Sequence, residues 1–158
     1  MLKLRKNKKG FTLVELIVVI AIMAVLAGTV AGVTVSQLNK QTDNANKTQA
    51  KKVADHIASL IIEGDIYIST GEANTGKFML KGETAEGEPT EALLTPTNLK
   101  DEVDKEFPKV IAESAGKGNI TLAVASTGDS ITVTYTHKAG NNKTTIYTID
   151  DEGIVSET

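Results

Sequence analysis

The chain contains no cysteine and no tryptophan, the first of its three prolines is Pro89, and no acidic residue precedes Glu15. Each absence removes something. Without cysteine there is no disulfide, no thiolate metal site and no cysteine nucleophile. With three Phe and three Tyr as the only aromatics, a core must lean on Ile, Val, Leu and Ala. Without proline before Pro89, nothing in the first half of the chain forbids a long helix. Nor is there a phosphate-cradling glycine loop or a nucleophile-elbow motif. The two histidines, His56 and His137, lie far apart with no second ligand at metal spacing. The acid clusters at Asp101, Glu102, Asp104 and at Asp150, Asp151, Glu152 lack the spacing of a calcium loop. They read as solvated charge. An enzyme is the least supported class, and no cofactor is expected.

What remains is uneven charge and a long apolar run. The 158 residues carry a net charge of −3, which conceals a basic start. Residues 1–10 hold Lys3, Arg5, Lys6, Lys8 and Lys9, whereas from Gly64 onward eight lysines face sixteen acids. A head this acidic is poorly suited to bind nucleic acid through its general field. Between Phe11 and Val35 the only polar side chains are Thr12, Glu15, Thr29 and Thr34. Twenty-five helical residues rise about 37 Å, enough to cross ~30 Å of hydrocarbon. Basic residues ahead of the span stay cytoplasmic, placing the C-terminal bulk outside.

From Ser36 the pattern becomes amphipathic. Leu38, Ala45, Ala50, Val53, Ala54, Ile57, Leu60 and Ile61 recur at helical spacing, with Asn39, Lys40, Asp43, Lys47, Lys51 and Asp55 filling the gaps. Gly64 is a natural stop. The expectation is one helix from about Phe11 to about Glu63. Its apolar stripe at Val53, Ile57, Leu60 and Ile61 is expected to pack on a C-terminal sheet.

Beyond Gly64, "DIYIST" and "GKFMLK" read as short strands, "KGETAEGEPTE" as a polar loop, and "TNLKDEVDKEF" as a short helix capped by Asn98 with acids in its first turn. Three alternating runs follow, "NITLAVAS", "DSITVTYT" and "KTTIYTI", separated by short turns. They predict an antiparallel meander, to which "DDEGIVSET" adds a last short strand. The fold class is α+β: a long N-terminal helix (about 11–63, first half transmembrane) against an antiparallel sheet of three to four strands. Four segments result: a leader at 1–10, a membrane or filament-core helix at 11–35, its amphipathic continuation at 36–63, and a head at 64–158. Loops at 71–77, 82–91 and 138–143 are the expected exposed contact surfaces.

The lysine-rich leader ending "KKG" at Gly10, followed by "FTLVELIVVIAI" from Phe11 to Ile22, resembles the start of type IV pilins. Cysteine-free heads and lysine-rich leaders look more like the pilins of Gram-positive bacteria. The resemblance implies that a prepilin peptidase cuts between Gly10 and Phe11 and that the new Phe11 amine is methylated. Subunits then leave the membrane for a helical filament, driven by an assembly ATPase acting with a membrane platform protein. The precursor is thus a single-pass protein of the cytoplasmic membrane, and the product a surface pilus for adhesion or twitching motility. Pseudopilins of type II secretion or of competence DNA uptake share this start, and only the latter would bring a nucleic-acid partner. A membrane-anchored surface protein that never polymerises is a further alternative. The chain departs from the usual pilin pattern: the helix glycines are Gly28 and Gly32, and no proline accompanies them.

Glu15 is the odd residue of the run. A carboxylate near the membrane edge is tolerated if it reaches the headgroups. Buried among apolar helices it requires a partner. Cleavage supplies one, because the Phe11 amine appears one turn away, on the same chain or on a neighbour. Pairing Glu15 with a neighbour's Phe11 fixes axial register, since one offset neutralises the charge. An ordinary signal-peptidase site at Val25-Leu26-Ala27, before Gly28, is the competing reading of the run.

Overall fold

The computed structural model describes residues 10–83, 87–139 and 143–158. The basic leader up to Lys9 and the centres of the expected 82–91 and 138–143 loops lie outside them. Contacts divide the chain into two compact units, Met1–Leu38 and Asn39–Thr158.

Helix α1 runs Leu13–Glu63. Its start is set by Thr12 and its end by Gly64. The Gly64 amide donates to the Ile61 carbonyl (3.1 Å) and the Asp65 amide to that of Leu60 (2.9 Å), two bonds that satisfy carbonyls the helix leaves open. That closure needs a left-handed residue, and Gly64 has φ +81°. Within the second unit the buried α1 positions are Asp43, Ala50, Val53, Ala54, Ile57, Ala58, Leu60 and Ile61. The expected stripe is therefore the packing face. Asp43, read from the sequence as a gap-filling surface residue, is buried instead.

The second unit carries two antiparallel sheets rather than one. The first joins β1 (Ile66–Ile68), β2 (Phe78–Glu83) and β3 (Pro89–Leu93) in that order. The second is a four-stranded meander, β4 (Ile120–Val124), β5 (Ser130–Thr136), β6 (Thr144–Asp150) and β7 (Val155–Glu157). The meander follows the alternation in the sequence. Leu122 pairs with Val133, Val133 with Tyr147, and Ile131 with Ile149, so one face is apolar across three strands. That face, the α1 stripe, and Ile66 and Phe78 of the first sheet form a single core with Leu99 and Val103.

Strand β3 falls in what the sequence presents as a polar loop. All five of its residues are exposed, so no burial alternation marks it. It is an edge strand held to β2 by backbone pairing, and Pro89 stands at its first position, where a missing donor costs least. Helix α2 (Pro96–Glu106) is also corrected at its start. Its cap is Thr95, not Asn98, and no acid lies in its first turn. Asn98 accepts from the Thr95 amide at 2.7 Å while its own amide donates to the Thr95 hydroxyl at 3.3 Å. The turn between β4 and β5 brings Gly128 (φ +80°) against the backbone of Gly76 and Lys77, where a side chain would collide with main chain.

Candidate functional site: the N-terminal helix start

Three residues of the first unit carry the expected chemistry, and the structure places them within two turns. Gly10 and Phe11 precede the helix, outside regular structure. Phe11 is 87 % exposed. A Cβ built on Gly10 would meet nothing within 4 Å, and its φ is not left-handed. The fold of this chain therefore places no demand for glycine at position 10.

Glu15 has a partner within its own chain. Its Oε2 accepts from the Thr12 amide and from the Thr12 hydroxyl, each at 2.9 Å. The Glu15 amide donates back to the Thr12 hydroxyl at 3.3 Å. This is a Thr-x-x-Glu capping box, in which two donors that a helix start leaves open are satisfied reciprocally. Sequence reasoning weighed Glu15 only as a tolerated charge or as half of an ion pair. The signal was nonetheless there, since Thr12 and Glu15 stand at cap spacing immediately before an apolar run. The same device opens α2 with Asn98 in place of the acid. One oxygen of the Glu15 carboxylate takes both cap bonds, and no described contact occupies Oε1.

The remainder of this unit is an uncovered apolar helix. Leu13, Val14, Leu16, Ile17, Val18, Val19, Ile20, Ile22, Met23, Val25, Leu26, Val30, Val33 and Val35 are all exposed. Mean hydropathy reaches 2.8 over eighteen residues, enough by length and composition to cross a membrane, and none of that window is buried. Gly28 and Gly32 sit inside it with open space around each. Beside them the Thr29 hydroxyl donates to the Leu26 carbonyl (2.9 Å) and that of Thr34 to the Val30 carbonyl (2.8 Å). The two hydroxyls are thus satisfied inside the apolar run. Such back-bonds loosen a helix slightly.

The histidines sit elsewhere, in the second unit. His56 meets Phe107 edge-to-face, with centroids 5.6 Å apart. His137 lies within hydrogen-bonding distance of the Thr145 hydroxyl (2.8 Å) and has Nδ1 3.9 Å from Asp43. They serve different contacts and share no site.

Residues 5–31 match the family model of the prokaryotic N-terminal methylation motif, the type IV prepilin signal motif. No curated protein and no solved structure matches the chain. The match covers Gly10, Phe11, Thr12, Glu15 and the apolar run through Ala31. An apolar N-terminal helix together with this motif is consistent with membrane insertion.

Proposed function

We propose that the chain is the precursor of a structural subunit of a type IV pilus. A prepilin peptidase removes residues 1–10, the Phe11 amine is methylated and keeps its positive charge, and the α1 segment from Phe11 to Val35 moves from lipid into the core of a helical filament. The observation that carries this reading is the pairing of an uncovered, membrane-length apolar helix with a carboxylate at its first turn. An apolar helix surface of this length has to be covered by lipid or by other chains.

The carboxylate then has two duties in sequence. In the precursor it closes the helix start through Thr12. In the filament its vacant oxygen takes the Phe11 amine of a neighbour. An unpaired carboxylate among apolar helices is heavily penalised, so only the offset that pairs it survives. The exchange of lipid for neighbouring helices is close to neutral per contact, because lipid tails are as apolar as the side chains. Extraction accordingly requires the outside work of an assembly ATPase and its platform protein.

Two measurements test the proposal. Mass spectrometry of the mature chain should find an N-methylated Phe11 at its N-terminus, whereas a start at Gly28 would mean an ordinary secretory signal. Electron microscopy of cells with and without the chain should show surface filaments only with it. Their absence alongside a correctly processed chain would favour a pseudopilin or a non-polymerising anchor.

A further inference from the structure

The head holds two stretches of α1 by different physics. From Ala50 onward the grip is apolar: Ala50, Val53, Ala54 and Ile57 are fully buried in the core. Over residues 39–49 no apolar side chain of the helix is buried, and Ala45 is exposed. The contacts described there are polar. Asp43 is the first buried residue along the helix, and it is met across the fold by the β5–β6 turn. The Tyr135 hydroxyl donates to its Oδ1 at 2.7 Å, the Lys138 amide to the same oxygen at 2.7 Å, and the Ala139 amide to Oδ2 at 2.9 Å. One turn on, the Asn46 amide reaches the Tyr135 hydroxyl at 3.4 Å, and Lys47 pairs with Glu157 of β7 at 2.5 Å in a half-exposed bridge.

The geometry points to a latch: helix residues 39–49 are clasped to the head through Asp43, and they undock from it as a unit while the apolar core from Ala50 onward stays intact. Polar contacts suit such a joint. A core residue pulled into water forfeits burial in proportion to its area, whereas Lys47 and Glu157 exchange one solvated state for another. Asp43 makes the latch all-or-none, because a buried carboxylate is stable only with its full set of donors. Local openings of this kind are sub-global units with their own, lower stability. The mechanical use, relief of bending or tension on the helix inside a polymer, rests on the filament reading. The undocking itself does not.

Acid is one key to the latch. Among the described residues, the groups meeting Asp43 are Tyr135 from β5 and His137 with the Lys138 and Ala139 amides from the turn, while Asn46 of α1 reaches the Tyr135 hydroxyl. Thr145 of β6 contacts the His137 ring, and the Lys47–Glu157 pair lies alongside. Protonating Asp43 turns an acceptor for three donors into a group with a proton to place among them. The His137 ring, 3.9 Å away, works the other way and favours the charged carboxylate.

Because the chain has no cysteine, paired spin labels can be placed without background. We would label Gln41→Cys with Ser156→Cys, and as control Lys52→Cys with Ser156→Cys, in the full chain in detergent micelles. At pH 7 both pairs should give narrow distance distributions. Adding Asp43→Asn should widen the Gln41–Ser156 distribution by on the order of 10 Å, the sweep open to eleven residues rising 1.5 Å each, and leave the control narrow. Acidifying the chain that retains Asp43 below pH ~4, the ordinary range of an aspartate, should do the same and covers the case in which Asp43→Asn does not fold. Joint widening of both pairs on acidification of the chain that retains Asp43, or no widening of the first pair under either treatment, overturns the latch.

Discussion

The amide and the hydroxyl of Thr12 converge on one oxygen of Glu15, each over 2.9 Å, and leave the second oxygen with no described partner. A carboxylate in an apolar run is thereby neither stranded nor spent. It is held in place by its own helix while retaining an acceptor for another charge.

If the box sets the helix start, Thr12→Ala should fray α1 at its first turn. Amide exchange of residues 13–16 in micelles should rise about fivefold, the factor that corresponds to a typical lost N-cap. Thr12→Ser should restore protection, since its hydroxyl reaches the same atoms. Equal exchange in Thr12→Ala and the native chain would show that the cap is not what fixes the start.

Glu15→Gln separates the two duties assigned to the carboxylate. A neutral amide still accepts from Thr12, as Asn98 does from Thr95 in α2, so the helix start should survive. It offers no charge to an amine. The variant should be processed at Gly10–Phe11 yet give few or no filaments by electron microscopy. Normal filaments would remove the ion pair as the source of register.

How much of this was legible beforehand follows which force holds each element. The α1 stripe, the Gly64 stop and the four meander strands are written in hydrophobic period, and the residues at Val53, Ile57, Ile131 and Val133 bury as that period requires. Strand β3 has no such period, because it sits at an edge with all five side chains in solvent and is held by backbone pairing to β2. Asp43 was hidden for a different reason. Its donors come from residues more than ninety positions away, and two of them are backbone amides that no side-chain pattern encodes. Gly10 and Phe11 lie within the matched motif, and no described side chain packs on either.

Gly28 and Gly32 are a cost to the isolated helix that no contact among the described residues explains. A Cβ at either would meet open space, so Gly28→Ala and Gly32→Ala should each stabilise the helix by roughly 0.5–1 kcal/mol. Circular dichroism of the full chain in micelles should show equal or higher helicity for both variants and for the pair. A loss of helicity would mean that the glycines answer an intramolecular contact after all.

The Asp43 carboxyl should also give the head an acid-sensitive stability. Burial pushes its pKa up, but the Tyr135 hydroxyl, the Lys138 and Ala139 amides and the nearby His137 outweigh burial and hold it below the usual aspartate value. A depressed folded-state pKa means that the unfolded chain binds its proton first as pH falls. The contribution is therefore complete above the unfolded value of ~3.9 and is lost as pH drops through the still lower folded one. Thermal stability of the head, followed by the tyrosine signal, should fall as pH drops below about 4. Asp43→Asn should be less stable at pH 7 and show a shallower slope in that window, because the group that titrates is gone. Tyr135→Phe offers an independent check. It leaves Asp43 its two backbone donors but removes a buried hydrogen bond to a charge, which should cost about 1–3 kcal/mol at pH 7. It should also move the acid transition to higher pH, since one of the bonds that depress the carboxyl is missing. An acid transition unchanged in both variants would assign the pH dependence to the surface carboxylates instead.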